Sequence, residues 1–127
     1  MTNISIGLLL IRIFIGLRLM YGVFDNLISW DHMQEFAGFL GKNKFPFPTV
    51  SAIVSVAIQM IAGFLLLIGW QTKLSAVLIF INFLIAIFMV HLPNGDSIEL
   101  MTAALAMLFI SACLFFTGAG KYSVDKV

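Results

Sequence analysis

Four long apolar stretches constrain this chain more than any other feature. A helix needs about 20 mostly apolar residues to cross the hydrocarbon core of a bilayer. Four segments meet this requirement, at about residues 4–24, 50–70, 74–92 and 98–117. Of the 127 residues, 61% are hydrophobic and 10% are charged, whereas soluble domains are about half apolar and about a quarter charged. The sequence therefore predicts an all-α integral membrane protein with four transmembrane helices.

Very short links between the last three stretches constrain how their helices pack. The links contain QTK at residues 71–73 and PNGD at residues 93–96, so consecutive helices must be antiparallel neighbours. We expect residues 1–127 to form a single domain, an antiparallel four-helix bundle. The first stretch does not read as a cleavable signal peptide, because Arg12 interrupts its apolar run and no small-residue cleavage site follows.

The long link between the first two spans, residues 25–49, carries a helical pattern of its own. Asp31 with Gln34 fits a capping box. Four apolar residues then recur at helical spacing, namely Met33, Phe36, Ala37 and Leu40. The pattern predicts a short amphipathic helix at about residues 32–40 that lies at the membrane surface. This helix is either a lid over a binding site or a plain cover of the bundle.

The distribution of lysines gives a small orientation signal. The side of the termini carries three lysines and the side of the long link carries two, which are Lys73, Lys121 and Lys126 against Lys42 and Lys44. Positive residues concentrate in cytoplasmic loops, so we expect both termini to lie in the cytoplasm. The net charge of +1 and the lack of a basic cluster argue against nucleic acid as a partner.

Two arginines lie inside the first apolar stretch. Arg12 and Arg18 keep their charge at any realistic pH, and a charge at the bilayer centre costs about 2.5–3.5 kcal/mol on insertion scales. Each must therefore contact a carboxylate, carbonyl groups, water or an anionic ligand. The midpoints of the spans put Arg12 at the central depth of Gln59 and Asn82. Arg18 is expected about 9 Å further along the first helix, at 1.5 Å per residue.

Further polar residues are expected at this outer depth. Tyr21 and Asp25 follow Arg18 at i+3 and i+7 and share its helical face. The end of the third span and the start of the fourth add His91, Asn94 and Glu99. Because these residues converge on one membrane side, the sequence predicts a polar pocket that opens toward the long link.

In this pocket, Arg18 and Tyr21 would hydrogen-bond a ligand, and His91 with Glu99 would transfer protons. The remaining candidate ligand-binding residues are Asp25, Asn94, Arg12, Gln59 and Asn82. Each also has a structural interpretation. Glu99 fits a capping box, and interhelical hydrogen bonds would explain the two amides in the second and third spans.

Several chemistries find no support in the sequence. Cys113 is the single cysteine, so no intrachain disulfide or CxxC redox pair forms. No phosphate loop, dinucleotide glycine pattern or zinc-ligand spacing is present, and no metal site is predicted. His32 and His91 share one membrane side, but nothing around them indicates a haem. No cofactor is encoded by a motif, and the expected ligand is small, apolar and not a nucleotide.

Several segments resemble the DoxX family of small membrane proteins. They read RIFIGLRLMYG in the first span, QMIAGFLLLIGWQTKLSAVLI across the second and third, HLPNG after the third and GAGKYSVDK near the end. The resemblance implies a bacterial inner-membrane four-helix protein that serves membrane redox systems, including quinone-linked oxidoreductases. It also implies patterned positions at Arg12, His91, Asn94, Gly95, Glu99 and Tyr122.

The chain departs from the family pattern at three positions. Gln59 stands where an acidic residue is frequent, Asn26 where a basic residue is frequent, and Arg18 where an apolar residue is usual. A neutral Gln59 leaves Arg12 without the counter-charge that the resemblance implies. Arg18 would then supply a charge in another geometry.

Three functions remain open at this stage. The first is binding of a quinone-like molecule for a membrane redox system, with a partner oxidoreductase subunit to supply electron transfer. The second is a non-catalytic accessory or assembly subunit of a larger complex, or a homo-oligomer, in which the charges staple helices together. The third is a small-molecule carrier, although broken half-helices of the kind that transporters use are absent from the pattern.

Overall fold

The computed structural model describes residues 2–125. It contains five α-helices, which are α1 (Thr2–Ile28), α2 (Trp30–Lys42), α3 (Pro48–Ile68), α4 (Thr72–Ala86) and α5 (Ile98–Thr117). A π-helical turn, Ile87–His91, continues α4. Four helices are long and apolar enough to cross a membrane: α1, α3, α4 with its π turn, and α5. The predicted all-α fold with four membrane-spanning helices is confirmed. Lys126, used in the orientation argument, lies outside the described residues.

The spanning helices pack in two pairs that meet at α3 and α4. α1 packs mainly against α3 and α5 mainly against α4, whereas α1 and α5 barely touch each other. Glycines set the α1–α3 crossing, since a Cβ on Gly16 would lie 2.7 Å from the carbonyl oxygen of Gly63. Close backbone approach through small residues is a common way for helices to associate in membranes. The bundle therefore packs tightly between α1 and α3 and loosely between α1 and α5.

The amphipathic helix in the long link is confirmed, but its cap differs from the prediction. α2 begins after Ser29, whose Oγ accepts a hydrogen bond from the His32 N–H at 3.3 Å. The predicted capping box at Asp31 is wrong because α1 continues to Ile28, so a single residue separates the two helices. The buried face of α2 packs on the ends of α1 and α3 through Met33, Ala37 and Leu40, against Val23, Ala52 and Val56.

Residues 118–125 fold back across the turn between α3 and α4. The Val124 N–H donates to the Ile68 carbonyl at 3.2 Å, and the Asp125 N–H donates to the Gly69 carbonyl at 2.8 Å. The Asp125 carboxylate accepts from the N–H groups of Gln71 at 3.0 Å and Thr72 at 2.9 Å. These donors are at the N-terminus of α4, where a negative charge is favoured.

The pKa of Asp125 reflects this position. Burial raises the pKa of Asp125. Hydrogen bonds from Thr72 and Gln71 and the attraction of Arg12 together lower it by more, so the pKa lies below the ordinary carboxyl value. The carboxylate therefore holds the segment in place at neutral pH.

Candidate functional site

A cleft of about 510 Å³ lies between α3 and α4 on the side of the long link. Its volume falls within the range of about 300–1,000 Å³ typical of small-molecule sites. The roof comes from α2 and the following loop, through Phe36, Phe39, Leu40, Phe45 and Pro46. α2 is capped by Ser29 at its start and by Asn43 at its end. The aromatic FPFP loop follows directly and lies over the cleft. α2 and this loop thus form a cover over a cavity.

The cleft opens sideways between the two spanning helices. Val54 on α3 and both Ile81 and Ile85 on α4 line it and are exposed. These residues lie on spanning helices, so the surface that surrounds the opening faces lipid in a membrane. A membrane-soluble molecule can therefore reach the cleft without crossing the aqueous phase.

A chain of polar side chains lies at the inner end of the cleft. The Ser55 hydroxyl donates to Asn82 Oδ1 at 2.7 Å, and Gln59 Nε2 donates to Ser55 Oγ at 3.1 Å. All three side chains are partly buried and line the cleft. Within residues 2–125, the amide nitrogen of Asn82 and the amide oxygen of Gln59 have no hydrogen-bond partner. The amide nitrogen of Asn82 can therefore donate to a ligand, and the amide oxygen of Gln59 can accept from one.

His91 lies at the mouth of the cleft, and its partner is not the residue that the sequence suggested. Its Nδ1 is 2.8 Å from Asp96 Oδ2, and both side chains are mostly buried. The π turn positions the ring, since the Leu92 N–H donates to the Ile87 carbonyl at 2.9 Å in the i to i+5 pattern. Nine residues separate His91 from Asn82, or about 13 Å along a helix axis. The His91–Asp96 pair is thus remote from the polar chain.

The structure does not bring the remaining outer residues into this cleft. Glu99 is exposed in the first turn of α5, where Ser97 caps the helix by accepting from the Leu100 N–H. Tyr21 is 81% exposed and projects from the bundle.

Asp25 and Asn94 have partners of their own at the surface. Asp25 pairs with His32 at 3.1 Å. Asn94 donates to Asn43 Oδ1 at 3.0 Å. The predicted outer pocket is therefore divided, because α1 and α5 are separated at this level and each polar group is paired or solvated locally.

Arg12 lies on the other side of the bundle and is fully buried. Its Nη1 donates to the carbonyls of Leu66 and Leu67, each at 3.4 Å, and its Nη2 donates to the Tyr122 carbonyl at 2.5 Å. These carbonyls belong to the C-terminal end of α3 and the C-terminal segment, where a cation is favoured. Arg12 therefore does not share the depth of Gln59, because α1 is longer than predicted and helical side chains lean toward the N-terminus.

Arg18 lies near the centre of the bundle, beside a second cavity of about 190 Å³. This cavity is also lined by Gln59, Phe83 and Met107, each within two residues of the centre of its own membrane span. Three residues separate Arg18 from the centre of α1, or about 4.5 Å along the helix axis, which is less than the predicted distance of about 9 Å. Gln59 and Phe83 line both cavities, so they form the wall between them.

Comparison with known proteins now gives the family. A model of the DoxX family matches residues 7–92. The chain belongs to the DoxX family. The match runs from α1 through the π turn, so it includes every element that encloses the cleft.

The DoxX chain is also similar to an uncharacterized protein of Haemophilus influenzae. The two are 28% identical over 130 residues, which cover 97% of this chain and 83% of that protein. No solved structure matches the chain. Membership in DoxX therefore establishes a small multi-pass membrane protein, and the chemistry must be argued from the side chains.

The DoxX site contains one functional candidate that sequence reasoning missed. Ser55 links Gln59 to Asn82, and its spacing of four residues from Gln59 on α3 would have placed both on one helical face. Within residues 2–125, no group of three or more His, Cys, Asp or Glu side chains is arranged to hold a metal ion. The polar side chains that line the cleft are the amides of Gln59 and Asn82, the hydroxyls of Ser51 and Ser55, and the imidazole of His91.

Proposed function

We propose that this DoxX protein binds a quinone-like molecule in the cleft between α3 and α4, for a redox system of the bacterial inner membrane. The observation that supports this proposal is the polar chain of Ser55, Gln59 and Asn82 at the inner end of an aromatic cleft. Small-molecule sites combine apolar walls with a few polar groups that fix orientation.

Both redox forms of a quinone suit the unpartnered groups. A quinone carbonyl accepts a hydrogen bond from the Asn82 amide nitrogen, and a quinol hydroxyl donates to the Gln59 amide oxygen. The ring packs between the roof residues Phe36 and Phe45, since aromatic contacts favour stacked or edge-to-face geometry. The lateral opening leaves room for an apolar tail in the lipid.

Proton and electron transfer have different sources in this proposal. The His91–Asp96 pair is at the mouth, and about 13 Å of helix separates it from the polar chain, so water must connect the two. The sequence carries no motif for an electron carrier, and we therefore assign electron transfer to a partner oxidoreductase subunit.

The proposal includes an orientation. Lys73 and Lys121 are exposed on the side of the termini, and cytoplasmic placement of this side follows the positive-inside rule. The cleft then opens into the half of the bilayer away from the cytoplasm.

Titration of the purified protein with a short-chain ubiquinone analogue tests the proposal. Loss of one hydrogen bond costs about 1 kcal/mol, so Asn82→Leu should weaken binding by roughly five- to tenfold. Ser55→Ala should weaken it because Asn82 and Gln59 lose their shared partner. Ser111→Ala is the matched control, since Ser111 is buried on α5 and bonds only to the Leu108 carbonyl. Equal affinity in all four proteins, or no saturable binding, would exclude this site.

A further inference from the structure

Arg18 is a permanently charged side chain that the bundle leaves without an ion pair. Arg18 is exposed on α1, three residues from the centre of that helix. Within residues 2–125 it forms no salt bridge or hydrogen bond. The guanidinium lies over Gly22, where a Cβ would be 2.7 Å from Nη1. A charge at this depth is costly unless it is paired.

The carboxylates of this chain are all placed elsewhere. Three are engaged: Asp25 with His32, Asp96 with His91, and Asp125 at the N-terminus of α4. Two more lie on α2, which are Asp31 and Glu35.

Glu99 is the remaining carboxylate, and within residues 2–125 no salt bridge joins it to Arg18. It precedes Ala103, which lines the Arg18 cavity, by one helical turn, or about 6 Å. The negative charge that neutralises Arg18 must therefore come from another molecule.

The surface around Arg18 suits a helix. α1 and α5 barely touch each other here, and both Gly22 and Ala103, which flank the cavity, are exposed. We define this surface as the α1–α5 groove. Small residues let the backbone of a second helix approach closely, and a guanidinium binds a carboxylate through two parallel hydrogen bonds.

We propose that the α1–α5 groove binds a membrane-spanning helix of a partner protein that carries a carboxylate at mid-membrane depth. A second copy of this chain is a poor occupant, because it would bring two guanidinium groups together and its own carboxylates lie away from mid-depth. Phospholipid headgroups lie roughly 15 Å from the midplane, half the hydrocarbon thickness. This proposal concerns a different surface from the quinone cleft and does not depend on its ligand.

A designed helix of known sequence tests the groove. The full-length protein, labelled with an energy-transfer donor, is placed in phosphatidylcholine vesicles. The probe is an acceptor-labelled poly-leucine transmembrane peptide with one central glutamate, and the reference peptide has leucine at that position. We expect the glutamate peptide to bind at least about tenfold more tightly, since interhelical polar contacts of 1–2 kcal/mol correspond to this factor.

Variants assign the effect to Arg18. Arg18→Leu should abolish the preference for the glutamate peptide, and Arg18→Lys should retain part of it. Ala103→Phe, which fills the groove without removing the charge, should also abolish binding. Glu99→Gln and Asn82→Leu should leave it unchanged. Thermal unfolding in the same vesicles establishes that each variant is folded.

Four outcomes would overturn the proposal. The two peptides bind equally, or Arg18→Leu leaves the preference intact. A gain of binding in Glu99→Gln would mean that Glu99 already neutralises Arg18. Displacement of the peptide by oleate at lower concentration than the peptide itself would mean that the groove is a site for an anionic lipid.

Discussion

At the residue scale, the buried arginine and a single glycine depend on each other. Gly69 ends α3 with φ of +75°, a conformation that suits glycine. A Cβ at this position would lie 2.3 Å from both Arg12 Nη1 and Ser123 Cβ. Gly69 thus leaves the space in which Arg12 reaches the carbonyls of Leu66 and Leu67.

Gly69→Ala should destabilise the protein by about 1–3 kcal/mol, because the new methyl group meets the guanidinium and the left-handed backbone disfavours alanine. Gly38→Ala is the matched control. Gly38 lies in α2, and nothing is within 4 Å of a Cβ there. The control should be neutral or stabilising by up to about 1 kcal/mol. Thermal unfolding in detergent measures both, and equal midpoints would contradict the packing described here.

Asp125 gives a prediction about pH. Asp125→Ala should cost about 1 kcal/mol near neutral pH, as for a lost helix cap. Because the folded-state pKa is lowered, the stabilisation is complete above the ordinary carboxyl pKa of about 4 and is lost as the pH falls through the lowered value. The difference between wild type and variant should therefore shrink in acid. A difference in unfolding midpoint that stays constant from neutral to strongly acidic pH would contradict this role.

Residue types in the sequence predicted which side chains needed partners, but not which partners they have. The sequence predicts that the two arginines need partners, and it groups His91 with Glu99. Arg12 is satisfied by backbone carbonyls, and such acceptors are invisible in a sequence because every residue has one. His91 pairs with Asp96 and not with Glu99, since a tight loop brings the nearer residue back.

At the element scale, the π turn is the feature that shapes the mouth of the cleft. It is formed by Ile87–His91 at the end of α4, and its wider turn contains one residue more than an α-helical path would need. Periodicity predicted the span through this region but gives no signal for a single extra residue. The lengths of α1 and α2 were underestimated for a related reason, since a one-residue break at Ser29 leaves little compositional trace.

Removal of Phe88 should convert the π turn to a regular α-helical turn and narrow the mouth of the cleft, because the extra residue is what widens this turn. Phe88 is 60% exposed, so its loss leaves the core packing in place. We expect weaker binding of the ubiquinone analogue with little change in unfolding temperature. Removal of Leu78 is the comparison, since Leu78 is exposed on α4 about one turn before the residues that line the cleft. This deletion should lower both the affinity for the analogue and the unfolding temperature. Unchanged affinity after removal of Phe88 would mean that the π turn has no part in the site.

At the scale of the whole molecule, the cleft and the α1–α5 groove differ in chemistry. The cleft between α3 and α4 is aromatic with neutral polar groups, and the α1–α5 groove contains one cation. Gln59 and Phe83 separate the two, so a ligand in one opening contacts the wall of the other. Hydropathy predicted the four spans and short links predicted their neighbours. The positions of both openings depend on which helix pairs pack tightly. The sequence could not predict this, because all faces of these helices are apolar and the hydrophobic pattern does not distinguish them.

Photo-crosslinking of an azido-ubiquinone analogue, followed by peptide mapping, tests the central claim most directly. The label should fall on α2, the FPFP loop, α3 and the α4–π segment, at residues that line the cleft, and excess unlabelled analogue should remove it. Asn82→Leu should reduce the labelling at these residues, and Ser111→Ala should not. Label on the outer faces of α1 and α5, or label that unlabelled analogue does not displace, would show that the cleft is not a quinone site.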